Sequence, residues 1–150
     1  MLSWRNWITH LTTNQKIESP TLSGGTKILN MKIKKIGWFL NLFPVGAITL
    51  APFGIYVDKT FIEYSKHPNL VGIYNRIINH EKIHWKQQLE MLIIFFYLWY
   101  VIEWLIKLIK YGKAAYNNIS FERESYANEE NFKYLETRKH FAWLKHIIKK

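Results

Sequence analysis

A mainly α fold (α+β), with a short β edge ahead of a motif helix, a long apolar helix and a glutamate-bearing helix, is what this sequence predicts on three observations. Apolar residues recur at three- and four-residue steps through Leu70, Tyr74, Ile77 and Ile78, and the pattern continues at Leu89 and Leu92. No Gly or Pro interrupts Ile73 to Tyr111. Ahead of that run, AITLAPFGIYV (Ala47 to Val57) divides into short β-favouring pieces around Pro52 and Gly54.

The length of 150 residues suits one domain, and a composition that is 49% hydrophobic and 17% aromatic excludes disorder over most of it. Such richness fits a packed globule or contact with lipid. Lys and Arg outnumber Asp and Glu 21 to 11, for a net charge of +10. The excess lies at the ends: residues 1 to 36 hold Glu18 as their one acid, and residues 133 to 150 hold Glu136 alone. A basic rim favours anionic lipid or nucleic acid as a partner, and it also serves solubility. With no cysteine, any metal must be held by His and carboxylate, and the redox compartment stays open.

Residues 1 to 30 carry the aperiodic polar run TTNQKIESPTLSGGTK and are expected to form a flexible extension, leaving residues 31 to 150 as the domain. Met31 opens a basic and then apolar stretch that resembles a signal peptide. Its position and the interruptions at Asn41 and Pro44 argue against cleavage, so the expected location is cytoplasmic or membrane-associated. The Ala47 to Val57 runs are expected at a sheet edge, because proline is poorly accommodated in a central strand; such an edge suits either strand addition by a peptide or simple coverage of the core. Tyr64 to Asn69 reads as a polar turn before the motif helix.

That helix carries NHEKIHWKQQ, with His80, Glu81 and His84 in the order H-E-x-x-H. At 3.6 residues per turn the two imidazoles share a face and can grip one zinc ion, while Glu81 is placed as a base for a zinc-activated water attacking a carbonyl. This is metallopeptidase chemistry; the bland alternative is a surface helix with two solvated histidines. Gln88, one turn beyond His84, either orients a ligand or faces water.

Met91 to Ile102 is the most apolar stretch, ended by Glu103. Twelve residues fall short of the roughly 20 that cross a bilayer, so the helix from about Glu90 to Ile109 is expected to pack against the motif helix, its aromatics touching lipid at most peripherally. Gly112 is its expected stop. Ser120 is the expected N-cap of a last helix running through FERESYANEENFKYLETRKHF, with Phe121, Ser125, Asn128, Phe132 and Leu135 on one stripe.

A catalytic zinc site needs a third protein ligand, and the last helix offers Glu122, Glu124, Glu129 and Glu130. Here the sequence resembles the gluzincins, metallopeptidases in which a glutamate from a later helix completes the site, often within E-x-x-A/S-D. In FERESY that register implies Glu122 as ligand, with Ser125 at the small position and Tyr126 where the family has an aspartate that steadies a zinc-bound histidine. Glu124 is the alternative register. NHEKIHWKQQLE followed by ISFERESYANE further resembles a small group of H-E-x-x-H proteins with a second F-E-x-E-A-Y motif, over about Thr49 to Phe141. That resemblance implies a zincin-like, metallopeptidase-like fold and no particular substrate; a peptide or protein substrate is the expectation from the H-E-x-x-H chemistry.

Among the other histidines, His10 and His67 read as loop residues, and His140 and His146 as parts of a basic tail. His140, Tyr111, Tyr116 and Tyr126 are the candidates for hydrogen-bonding a tetrahedral intermediate. The expected function is therefore a zinc metallopeptidase, with peripheral contact to anionic membrane. One competing reading is a zinc-clamped scaffold without catalysis; another is a basic aromatic module for membrane or nucleic acid. Nucleic acid is not expected, because no binding motif appears and the aromatics are not interleaved with Lys or Arg.

Overall fold

A computed structural model describes residues 32–35 and 46–148. The expected N-terminal extension and the Asn41 and Pro44 interruptions lie outside these residues. Mainly helical structure with a small sheet is what the chain adopts. It divides into two compact units, with the boundary between Ile78 and Asn79.

The N-terminal unit holds three strands: β1 (Ile33–Lys35), β2 (Ala47–Leu50) and β3 (Gly54–Val57). Their order is β1-β3-β2, with β3 parallel to β1 and antiparallel to β2. The expected edge is thus β2, while β3 is central and β1, which the charged MKIKK text does not announce, closes the other side. Pro52 sits in the turn between β2 and β3, outside the ladder. Gly54 has φ +140, and any Cβ there would run into the carbonyl oxygen of Lys32, which accepts the Ile55 N–H at 3.0 Å.

Asp58 accepts from Thr60 N at 2.8 Å and starts a short helix that the reading of the sequence had not placed, α1 (Lys59–Tyr64). Ile55, Val57, Phe61 and Ile78 form the core of this unit, with Tyr74 and Ile77 packed on it. Each such buried side chain contributes about 1.5–3 kcal/mol.

The motif helix is α2 (Val71–Glu90). It stops without a glycine: Leu92 N–H returns to the Leu89 carbonyl (3.3 Å) and Ile93 N–H to that of Gln88 (2.7 Å), a Schellman turn with Leu92 at φ +52 and Ile93 at φ +61. The next helix, α3 (Ile94–Tyr111), leaves at 111°. It ends at Gly112, whose φ is +53 and whose N–H bonds to the Leu108 carbonyl. Among the described residues no single helix is long and apolar enough to cross a membrane.

The expected last helix is shorter than its text suggested: α4 spans Ser120–Asn128 and α5 only Tyr134–Thr137. Asn79 explains the break. Its Nδ2 shares two protons among the carbonyls of Asn128 (3.3 Å), Glu129 (2.9 Å) and Asn131 (3.2 Å); the Asn128 and Asn131 oxygens also accept the N–H groups of Asn131 and Tyr134, and the Glu129 oxygen is met from α2 instead of by a continuing helix. Ser120 is the first residue of α4 and not its cap. Its N–H and Oγ donate to the Glu103 carboxylate (3.0 and 2.5 Å), so α3 supplies the cap. Glu103 therefore points inward and does not interrupt the outer surface of α3. Phe96, Ile119, Phe121 and Trp143 form the C-terminal core, with Phe121 between Phe96 (4.5 Å) and Trp143 (4.7 Å).

Candidate metal centre

One turn separates His80 from His84 on α2, and Glu122 lies in the first turn of α4. All three are buried, and one ligand-type atom from each lies within 4.8 Å of the others. The helix hydrogen-bond network around Asn79 and the pairing of Glu103 with Ser120 fix where α4 starts and stops, and so set the position of Glu122.

The hydrogen bonds decide which ring nitrogens carry protons. His80 Nδ1 lies 2.9 Å from Glu129 Oε2, and His84 Nδ1 lies 2.7 Å from Gln87 Oε1. The Gln87 amide has one orientation, because its Nε2 donates to the Phe121 carbonyl (3.1 Å) and the Glu124 carboxylate (3.0 Å), both pure acceptors. Each Nδ1 therefore donates its proton, and in the neutral rings each Nε2 presents a lone pair. Those two Nε2 atoms are 3.0 Å apart, and they lie 3.4 Å (His80) and 3.3 Å (His84) from the Glu122 oxygens. Two lone pairs and a carboxylate at such spacing repel unless a cation lies among them.

A metal fits this test. Tetrahedral bonds of about 2.0–2.1 Å place ligand atoms about 3.3–3.4 Å apart, close to the three separations observed. Glu122 Oε2 is buried, forms no well-directed hydrogen bond among the described residues and lies 3.4 Å from His80 Nε2, as suits a carboxylate oxygen kept for a metal. The electrostatics agree. Burial disfavours a charged imidazole at both positions, but Glu122 and Glu129 beside His80, with the charge of Glu81, raise its pKa from 6.5 to about 10. His84 is raised against the same burial by Glu122. Burial likewise works against Glu122, and the His84 charge and contacts with both rings hold it well below the usual carboxylate range. Without a metal, a proton fills the cationic role.

Three tyrosines line the Glu122 side. Tyr100 donates to Glu122 Oε1 at 2.9 Å, and the Tyr126 ring meets the His80 ring edge-on at 4.7 Å. Burial first and then the Glu122 charge raise the pKa values of Tyr100, Tyr116 and Tyr126, so all three remain protonated donors. Glu81 is buried, and its charge raises Tyr97, Tyr116 and Tyr126 as well as both histidines, which places its carboxylate in the same neighbourhood.

Against protein-family models, curated proteins and solved structures, the chain matches nothing.

The remaining candidates fall elsewhere. Glu124 faces away from the trio, where its carboxylate accepts from Arg138 (2.5 and 3.1 Å), Tyr134 (2.9 Å) and Gln87. Glu129 orients His80, which is the task the resemblance gives to the position Tyr126 occupies. Glu129 lies seven residues beyond Glu122, a spacing that would have put it on the same helical face. Gln88 is buried and does not face water; the amide that orients His84 is Gln87. Tyr100 was missed because its apolar neighbours hid it. Tyr111 lies under Lys107 and Lys110, and His140 is exposed at a cavity of about 430 Å³ beside Glu90 and Arg138. His67 is exposed, and His146 is half-buried, with its pKa lowered chiefly by that burial.

Proposed function

We propose that this protein is a metal-dependent hydrolase of the peptidase kind, with His80, His84 and Glu122 as ligands and Glu81 as the proton-transferring base. The observation that carries the reading is the convergence of two imidazole Nε2 atoms and a buried carboxylate, next to a buried glutamate that is not itself among the three ligands. Two imidazoles and one carboxylate suit zinc, and such an ion supplies Lewis acidity and a water with a pKa near 7. With such an ion bound, Glu81 would be the base that accepts a proton from the attacking water and passes it to the leaving amine. Glu129 and Gln87 hold the imidazoles in register, and the protonated phenols of Tyr116 and Tyr126 offer hydrogen bonds to negative charge developing on a carbonyl oxygen.

A second reading, a structural metal clamping α2 to α4, is favoured by burial: His80 and His84 are only 8% and 7% exposed, Glu81 7% and Glu122 2%. The experiment that separates the two uses chelator-stripped protein reloaded with zinc, assayed for metal content and for cleavage of a mixed-sequence quenched peptide library. Catalysis predicts one metal per chain and cleavage that Glu81→Gln lowers by about 10²–10⁴-fold while metal content is unchanged. One metal per chain without cleavage by the wild type, whether zinc, cobalt or manganese is supplied, establishes the structural reading.

A further inference from the structure

We propose that the outward face of α3 is a lipid-binding surface that seats the protein in one leaflet of a bilayer. The proposal goes beyond the metal reading and does not depend on it. At 100° per residue, the exposed apolar side chains of α3 cover an arc of about 200° along a helix about 27 Å long. Its middle is aliphatic, from Ile94 (76% exposed) through Leu98, Val101, Ile102 and Leu105 to Ile109 (90% exposed). Aromatics with a polar tip take the margins, Tyr97 and Trp104 on one side and Trp99 on the other. That order, aliphatic centre and amphipathic rings at the borders, suits a helix lying in the plane of a membrane interface.

The charges that break the apolar run in the text do not break this face. Glu103 is buried against Ser120, and Lys107, paired with it at 3.8 Å, donates to the Ile147 carbonyl at 2.9 Å. The opposite arc of α3 is covered by the chain's own core, through Phe96, Tyr100 and Trp104, so lipid cannot surround the helix as it surrounds a span. Exposed Lys110 at the C-terminal end and Lys113 in the 3₁₀ turn that follows (Gly112–Ala114) give a cationic border that complements anionic headgroups. A second copy of the chain is a poorer occupant. A helix pair covers a stripe, whereas an arc of about 200° needs a surrounding medium, and the face offers few of the hydrogen bonds that set register between proteins.

The test is flotation of the full chain, purified in mild detergent and diluted with phosphatidylcholine vesicles with or without phosphatidylserine, in the presence and absence of chelator. The wild type is expected to float in both, more with phosphatidylserine, and equally with chelator present. Leu98→Glu with Leu105→Glu, two exposed positions on one stripe, is expected to lower the floated fraction about tenfold or more while circular dichroism and metal content stay unchanged. Lys110→Gln with Lys113→Gln is expected to remove only the gain from phosphatidylserine. Because the glutamate variant could lose its fold, fluorescence quenching by lipids brominated along the acyl chain is also compared between the wild type and Trp99→Phe with Trp104→Phe, the difference reporting these two of the seven tryptophans. A wild type that neither floats nor is quenched, or a folded glutamate variant that floats equally well, overturns the proposal. A detergent-free dimer that the same variant dissociates, with no flotation of the wild type, assigns the face to a second copy instead.

Discussion

Replacing Glu124 by alanine tests the separation between holding the metal and holding the site. The sequence offers Glu124 only as the alternative ligand register, but the structure buries this carboxylate completely and gives it Arg138, Tyr134 and Gln87 as partners. Arg138 keeps one further partner, Glu90. Removing one member of a buried ion pair costs about 3–5 kcal/mol when the other charge is left uncompensated, and with Glu90 still paired to Arg138 the lower end, about 3 kcal/mol, is expected. For a chain of this size, at about 2–4 °C per kcal/mol, the melting temperature should fall by roughly 6–12 °C. Gln87 would also lose one of the two acceptors that orient its amide, and disturbing a partner of that kind lowers metal affinity about 10–100-fold. Glu122→Ala should behave in the opposite proportion, with a greater loss of zinc affinity. Calorimetric zinc titration and thermal melts of both variants, each with and without chelator, read the two effects separately. If Glu124→Ala lost more affinity than Glu122→Ala, or melted like the wild type, the assignment of the two carboxylates to different tasks would be refuted.

The elevated His80 pKa makes the metal-free protein sensitive to alkali. Its contribution is fully present below pH 6.5 and is lost as pH rises through about 10, so chelated wild type should lose stability across that window, with a dependence that His80→Gln abolishes. Zinc must displace that proton, so apparent affinity should rise with pH over the same interval; affinity independent of pH would refute the protonation scheme. At the α2–α3 corner, Leu92→Gly should stabilise the fold by about 1 kcal/mol, because Leu92 is exposed and held at φ +52; an unchanged or lower midpoint in urea would contradict the strain.

The motif on α2, the apolar character of α3 and the strands β2 and β3 were legible in the text because each depends on periodicity or on local residue types. H-E-x-x-H puts two imidazoles on one face wherever the segment is helical; the two-residue rotation of about 200° said only that Glu122 and Glu124 cannot both face one ion, and the preference for Glu122 came from the register of the resemblance. Long-range partners decided the rest. Nothing local distinguishes Gln87 from Gln88 as the amide that orients His84; the choice depends on the Phe121 carbonyl and Glu124, more than thirty residues away. The corner at Leu92 and Ile93 lacks the glycine that would announce it, so its cost is borne by tertiary packing. The end of α4 was hidden because the carbonyls that stop it are claimed by Asn79 on α2. Glu103 read as the polar break in an apolar run, yet helical periodicity cannot say whether such a charge meets water or a partner. Ser120 and Lys107 turn it inward, and the apolar face of α3 is continuous for that reason.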